Sequence, residues 1–234
     1  MTQLSVNVNK IATLRNARGG NIPDLDFVVN SIINFGADGI TIHPRPDGRH
    51  IKKEDVLSIS KLVKNKVEFN IEGFPSDDFI KMVLDVKPTQ VTLVPDEPGV
   101  LTSLEGWDTI TNQKFLKQVV SIFNKHKIRT AIFIDPNLDM VEGAAMVNAN
   151  RIELFTGDYA KCDTTINNYI ECSNYAHQLG LFVNAGHDLS LENLNFFHDS
   201  MPFLAEVSIG HSLISESLFL GIEETINRYK NILS

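Results

Sequence analysis

The sequence lacks the features that define several common classes of protein. It contains only two cysteines, Cys162 and Cys172, which form neither a CxxC pair nor a metal-binding spacing. We therefore expect reduced thiols in a cytoplasmic protein. No apolar run approaches the roughly 18 to 20 residues that a membrane span needs. The first ten residues, MTQLSVNVNK, also lack the apolar segment of a signal peptide.

Positive charge is also scarce, and two sequence motifs of other protein classes are absent. The formal net charge is −8, and no basic stretch stands out, so we expect neither a nucleic-acid partner nor a membrane partner. No GxGxxG follows the first predicted strand, which disfavours a dinucleotide-binding sheet. There is no HxH pair either, which disfavours a metal-dependent barrel hydrolase built on the histidines.

The sequence does contain a strand–turn–helix pattern that repeats from end to end. Short β-branched runs predict eight strands, at 4–8, 39–43, 67–72, 90–94, 130–134, 151–155, 181–184 and 206–209. Because these runs are apolar nearly throughout, they suit a parallel sheet that is covered on both faces.

Helical periodicity fills the intervals between the predicted strands. Apolar faces are predicted from Leu25, Val28, Val29, Ile32 and Ile33, and from Phe115, Val119, Ile122 and Phe123. Residues 75–78, Pro-Ser-Asp-Asp, predict a helix start with a serine cap. Residues 213–233 are predicted to form the eighth and last helix.

Strict alternation of strands and helices is compatible with a closed barrel or with an open doubly wound sheet. The count of eight favours an α/β fold of the (β/α)8 TIM-barrel type, with residues 1–234 as a single catalytic domain. The longest irregular stretch, 95–110, is predicted to be a loop over the mouth of the barrel. It contains a Pro98-Gly99 turn and Trp107, for which a packing role is equally compatible.

Polar residues collect where the predicted strands end, which is where barrels of this type carry their chemistry. The residues concerned are Asn7, Asn9, Lys10, Arg15, Arg18, His43, Arg45, Arg49, His50, Asn70, Glu72, Glu153, Asn184, His187 and His211. Gly186 and Gly210 follow the last two strands, where backbone N–H groups and a helix N-terminus commonly bind phosphate; tight turns are the alternative. Glu72 and His43 lie on adjacent strands and are candidates for acid–base catalysis. An ion pair of Glu72 with Arg18 or Arg45 is the structural alternative.

Seven segments, in this order, closely resemble the pyridoxine 5'-phosphate synthase family: VNVNKIATLRNARGG, GADGITIHPRPDGRHI, FNIE, LVPDEPG, IELFTGDYA, VNAGHDL and SIGH. The resemblance implies a (β/α)8 barrel with extra helices, assembled as a homo-octamer in the cytosol. It implies a transferase of vitamin B6 (pyridoxine) biosynthesis that condenses 3-amino-2-oxopropyl phosphate with 1-deoxy-D-xylulose 5-phosphate. The products are pyridoxine 5'-phosphate, phosphate and water, and no metal or organic cofactor takes part.

The resemblance also implies roles for individual residues. His43 and Glu72 resemble the family's proton acceptors, His187 its proton donor, and Glu153 a carboxylate that stabilises charged intermediates. The remaining matches are substrate-binding positions: Asn7, Arg18 and the backbone around Asp188 for the aminoketone phosphate, Arg45, His50 and Thr102 for the deoxyxylulose phosphate, and Gly210 and His211 for a further phosphate contact.

Two positions depart from the family pattern. Asn9-Lys10 stands where an Asp-His pair contacts the deoxyxylulose phosphate, and Asp188 stands where some members have glycine. A carboxylate at 188 repels phosphate unless it points away. A phosphosugar epimerase and a non-catalytic phosphate-binding barrel remain as competing interpretations.

Overall fold

The computed structural model describes residues 1–96 and 105–234. Its strands are β1 (Gln3–Asn7), β2 (Gly39–Ile42), β3 (Glu68–Gly73), β4 (Gln90–Leu93), β5 (Arg129–Ile134), β6 (Arg151–Phe155), β7 (Phe182–Gly186) and β8 (Leu204–Ile209). All neighbours pair in parallel and in chain order, and β8 pairs back onto β1, so the sheet is a closed barrel. The predicted TIM-barrel fold is confirmed, and each strand lies within two residues of its predicted bounds.

The helices of the described residues outnumber the strands, as the resemblance implied. They are α1 (Asn9–Asn16), α2 (Leu25–Asn34), α3 (Lys53–Val63), α4 (Asp77–Val86), α5 (Gln113–Lys125), α6 (Leu138–Met146), α7 (Gly157–Lys161), α8 (Ile166–Gln178), α9 (Leu194–Ser200), α10 (His211–Leu220) and α11 (Ile222–Ile232), with a 3-10 turn at Asp163–Thr165. The prediction of one helix over 213–233 is wrong. Gly221 adopts φ +81° between α10 and α11 and ends the first helix.

Two helix predictions were made from local signals, and one of them needs correction. Ser76 caps α4 as predicted, since its Oγ accepts a hydrogen bond from the Phe79 N–H at 3.3 Å. In α5 the buried stripe is Leu116, Val119, Val120 and Phe123. The predicted Phe115 is instead 37% exposed, because the face towards the barrel is centred one residue further along.

Trp107 has the packing role that the sequence left open. It is buried, and its ring lies 5.8 Å from the ring of Phe74 and 6.0 Å from that of Phe115, measured between centroids. The Pro98-Gly99 turn of the same predicted loop lies outside the described residues.

The strands alternate between an apolar outer face and a polar inner face. Ile40 and Ile71 belong to the large apolar core between strands and helices. On the inner face the Ser5 and Thr41 hydroxyls are 2.7 Å apart, and the Thr92 hydroxyl contacts Glu153 two strands away at 3.2 Å. The strands are buried on both faces, as predicted, but the side chains of the inner face include polar ones. The lumen of the barrel is polar, and that places titratable groups beneath the mouth.

A second, smaller apolar cluster consists of Val94, Phe133 and Phe155. Phe133 and Phe155 lie two residues beyond Ala131 and Glu153 on β5 and β6, so they share the lumen-facing side and lie nearer the mouth. In the part of the chain that the structure describes, no helix is both long enough and apolar enough to cross a membrane.

Candidate active site

His43 and Glu72 come together at the carboxyl ends of β2 and β3. The distance from His43 Nδ1 to Glu72 Oε2 is 3.9 Å, and both side chains are largely buried. The His43 backbone N–H donates to Asn9 Oδ1 at 2.9 Å. Asn9, which stands in place of a predicted carboxylate, thus holds the start of the β2 loop. In turn the Asn9 N–H donates to Asn7 Oδ1 at 3.0 Å.

Burial and nearby cations keep the His43 imidazole neutral. Burial lowers the pKa of His43 well below its usual range, and the charges of Arg45 and Arg49 lower it further. A neutral imidazole carries a lone pair, so His43 can accept a proton.

Three carboxyl groups of the lumen have the opposite shift. Burial raises the pKa of Glu72 well above its usual range, and the charge of Glu153 adds to the increase. Burial, with a contribution from the charge of Glu206, raises the pKa of Glu153 to about 8. The pKa of Glu206 is also raised by burial, although Arg151 at 3.1 Å opposes the shift. These three carboxyls therefore keep their protons to a higher pH than carboxyls in water do.

His50 lies beside His43, with ring centroids 6.2 Å apart. Its Nδ1 accepts a hydrogen bond from the Ile51 N–H at 2.9 Å, which places the proton of the neutral ring on Nε2. Burial and the charges of Arg45 and Arg49 lower the pKa of His50 to about 4. The ring is therefore a neutral N–H donor at physiological pH.

The arginines at the mouth have contacts other than the ion pair with Glu72 that was the structural alternative. Arg45 pairs with Asp96, with Nη2 and Oδ2 2.6 Å apart, and Arg18 is exposed. The Glu72 carboxyl instead faces the neutral His43 ring, with Oε2 3.9 Å from Nδ1. Arg15, which follows β1, is a structural residue, since its guanidinium contacts both carboxylate oxygens of Asp55 at 2.6 and 2.8 Å.

Other predicted positions are spread around the rim. Lys10 and His211 are exposed, and Arg49 pairs with Asp47 at 2.7 Å. Thr102 lies outside the described residues. Among residues 1–96 and 105–234, no group of three or more His, Cys, Asp or Glu side chains is placed to hold a metal ion.

The loop after β7 carries His187 and Asp188 in left-handed backbone conformations, with φ +83° and +59°. Thr156, which follows β6, clamps the loop: its hydroxyl donates to the Gly186 carbonyl at 2.7 Å and also contacts the His187 carbonyl. The His187 ring meets the Phe155 ring edge to face, with centroids 5.0 Å apart. The distance from His187 Nδ1 to Asp188 Oδ2 is 3.0 Å.

Both glycines predicted to bind phosphate sit in crowded places. A Cβ at Gly186 would lie 2.6 Å from Glu153 Oε1, and a Cβ at Gly210 would lie 3.0 Å from Asn7 Cβ. Gly186 is therefore needed to admit the Glu153 carboxyl, and Gly210 to admit Asn7. Gly210 also directly precedes α10, so the free N–H groups of the first turn of that helix face the same rim.

A cavity of about 390 Å³ opens beside His43 and Arg45 and is also lined by Phe74, Phe79 and Met82. Its volume is within the range of small-molecule sites. The cavity therefore combines polar side chains, such as those of His43 and Arg45, with apolar ones.

Several residues of the lumen were missed or given no role from the sequence. The Thr92 hydroxyl contacts Asn70 and Glu153 at 3.1 and 3.2 Å, and Arg151 donates to Asn184 at 2.8 Å. A signal was present, because polar residues recur at every second position in NIE, QVT and RIE. In a strand that spacing puts them on one face.

Sequence comparison identifies relatives along the whole chain. The family model described as "Pyridoxal phosphate biosynthesis protein PdxJ" matches residues 4–234. The pyridoxine 5'-phosphate synthase of Bacteroides fragilis (strain YCH46) is 53% identical over 238 residues, covering 100% of both chains. The protein of the same name from Cytophaga hutchinsonii is 54% identical over 234 residues, covering 98% of both.

Solved structures share the architecture at low sequence identity. Tryptophan synthase of Mycobacterium tuberculosis superposes with a TM-score of 0.68 at 10% identity, covering 99% of this chain and 92% of that one. A phosphoribosylanthranilate isomerase of Thermotoga maritima gives 0.59 at 16% identity, covering 100% and 98%. At these identities the likeness concerns the barrel alone.

Proposed function

The chain belongs to the family described as pyridoxal phosphate biosynthesis protein PdxJ, and we propose that its barrel condenses 3-amino-2-oxopropyl phosphate with 1-deoxy-D-xylulose 5-phosphate. Its activity is that of a pyridoxine 5'-phosphate synthase, the name carried by full-length relatives at 51–54% identity. That activity sets aside the epimerase, the metal-dependent hydrolase and the non-catalytic binding protein.

The observation that carries the proposal is the buried group of His43, Glu72 and Glu153. The condensation needs an ammonium that loses its proton, water and phosphate that leave, and a ring that closes and becomes aromatic. Each step moves protons, so groups that exchange them near neutral pH are required. Glu153, whose pKa burial raises to about 8, is such a group; the lowered pKa of His43 leaves a neutral ring that can accept a proton, and the raised pKa of Glu72 leaves a carboxyl that can donate one.

Binding of the amine substrate explains how Glu72 can accept a proton although its pKa is raised. A carboxyl with a raised pKa holds its proton in the unliganded mouth, whereas the reaction needs a proton acceptor. An ammonium placed beside Glu72 and Glu153 favours their ionised forms. Binding of the aminoketone therefore converts Glu72 into a base, and Glu153 offsets the positive charge of the intermediates.

The two phosphates bind at neighbouring parts of the rim in this proposal. Asn7, Arg18 and the backbone at Asp188 bind the aminoketone phosphate, and Gly210 and His211 contribute N–H groups at the start of α10. Arg45 and His50 bind the deoxyxylulose phosphate, together with Thr102, Asn9 and Lys10. His50 fits this role because its neutral ring presents Nε2–H as a donor.

We also place the enzyme in the cytoplasm as a homo-octamer, in keeping with the family resemblance. Leu218 and Phe219 on α10 are 76% and 91% exposed, and apolar side chains exposed to this degree are suited to a subunit contact. Light scattering of the purified protein should give eight times the mass of the 26.1 kDa chain. A monomer would contradict the assembly without affecting the proposed chemistry.

The direct test is incubation of the purified protein with both phosphorylated substrates. Pyridoxine 5'-phosphate and inorganic phosphate should appear in equal amounts, and neither should appear when one substrate is omitted. Absence of pyridoxine 5'-phosphate with both substrates present would refute the proposal.

A further inference from the structure

Asp188 and the ring of the adjacent His187 are in contact at the rim of the mouth. The Asp188 Oδ2 atom lies 3.0 Å from His187 Nδ1. The pKa of Asp188 is lowered, chiefly by this contact with the ring and further by the charges of His211 and Lys161. The carboxylate is therefore ionised and lies beside the imidazole.

The backbone that creates this contact is unfavourable by itself. His187 and Asp188 are two successive non-glycine residues with positive φ, at +83° and +59°, a conformation that is strained for residues with a Cβ atom. Neighbouring loops hold them there. Thr156 contacts the carbonyls of Gly186 and His187, and the Asn193 amide donates to the Asp188 carbonyl at 3.1 Å.

We propose that Asp188 is a positioning residue that acts through His187: it fixes the imidazole with Nδ1 towards its carboxylate, so that Nε2 is the nitrogen that transfers the proton. A carboxylate facing Nδ1 selects the tautomer with hydrogen on Nδ1 and stabilises the imidazolium that a proton donor needs. Phe155 also restrains the ring through an edge-to-face contact, with centroids 5.0 Å apart. The inference rests on the proposed function, in which His187 is the proton donor.

Two variants separate the carboxylate from the backbone. Asp188→Asn keeps the size of the side chain and tolerates positive φ, but removes the charge. Asp188→Gly removes the side chain and relieves the backbone, so it should melt at the same or a higher temperature. If Asp188 positions His187, both variants should lose about 10- to 100-fold in kcat, the loss seen when the partner that orients a functional histidine is removed. The KM for each substrate should stay within about twofold of wild type, because the contact acts on the proton-transfer step.

The chain supplies its own control in a second His-Asp pair. His198 Nδ1 lies 3.6 Å from Asp199 Oδ1 on α9, and Asp199 is exposed. Asp199→Asn should leave kcat unchanged.

A double-mutant cycle then identifies the route of action. His187→Asn should be slower than either Asp188 variant, and His187→Asn combined with Asp188→Asn should be no slower than His187→Asn alone, because Asp188 has nothing left to act on. Losses that multiply in the double variant, or an Asp188→Asn enzyme with wild-type kcat, would overturn the inference. Absence of pyridoxine 5'-phosphate from the wild-type enzyme would instead overturn the proposed function, and a fully active His187→Asn enzyme would overturn the role of His187.

Discussion

Replacing Glu153 with glutamine should make the protein more stable at alkaline pH and leave it nearly unchanged at acidic pH. Glu153 is 4% exposed, and burial raises its pKa from 4.5 to about 8. Between these two pH values the folded protein retains the proton and the unfolded chain has released it. Stability from this group is therefore present below about pH 4.5 and is lost as the pH rises towards 8.

The size of the effect follows from the width of that interval. Each pH unit is worth about 1.4 kcal/mol, so the wild-type protein loses at most about 5 kcal/mol through Glu153 by pH 8. Glutamine cannot ionise, and it retains an oxygen that accepts the Thr92 hydroxyl. For a chain of 234 residues, 1 kcal/mol shifts the melting temperature by about 2 to 4 °C. The Glu153→Gln protein should thus melt about 10 to 20 °C above wild type at pH 9.

The assay is thermal unfolding of both proteins at a fixed protein concentration from pH 5 to pH 9, scored as the difference in melting temperature. Glu171→Gln on α8 is a matched control, because Glu171 is exposed and its replacement should give a difference that does not vary with pH. A flat difference for Glu153→Gln would show that Glu153 is already ionised when the protein folds. The argument from burial in the lumen would then be wrong.

Three further predictions concern turnover, substrate binding and metal dependence. Glu72→Gln should lower turnover by about 10²- to 10⁴-fold. It should not lower the melting temperature at pH 7, because glutamine resembles the protonated acid that the raised pKa of Glu72 favours. Normal turnover would refute the catalytic role of Glu72. Gly210→Val should raise the KM of the aminoketone phosphate and cost about 1 to 3 kcal/mol of stability, because its Cβ would lie 3.0 Å from that of Asn7; an unchanged KM would place the phosphate elsewhere. Incubation with EDTA should leave turnover unchanged, because the proposed steps use proton transfer and N–H donors; loss of activity that a divalent ion restores would contradict this.

The Gly210 prediction differs from what the sequence alone supports. A glycine before a helix suggests that a bulky substitution would block phosphate while the barrel stays folded. The structure adds that the substituted side chain would first press on Asn7. Unfolding must therefore be measured beside binding, and Gly210→Ala is the milder companion variant.

Local patterns in the sequence determined the barrel and the side of it that carries the chemistry. Eight β-branched runs separated by helical periods specify the strands, and parallel strands place their carboxyl ends on one rim. His43, Glu72 and His187 could therefore be assigned to one mouth before any coordinates were known. The helix cap at Ser76 was also predictable, because it depends on residues only three positions apart.

Features that depend on packing between helices, strands and loops were predicted wrongly from the sequence or were left undecided by it. Phe115 fits the apolar period of α5, but the face of a helix that is buried is chosen by what packs against it. A helix over 213–233 fits the composition, but Gly221 ends α10 and lets the chain turn into α11. The role of Trp107 was settled only by the rings of Phe74 and Phe115 around it.

The sequence by itself determined which titratable residues this protein has and at which end of its strands they lie. Only the tertiary structure decided their protonation, because a pKa shift depends on burial and on charges that are distant along the chain. Glu72 and Glu153 are separated by 81 positions in the sequence, yet both lie in the lumen. Burial raises the pKa of each, and the charge of Glu153 raises the pKa of Glu72 further. Closure of the sheet through β8 and β1 encloses these groups away from water.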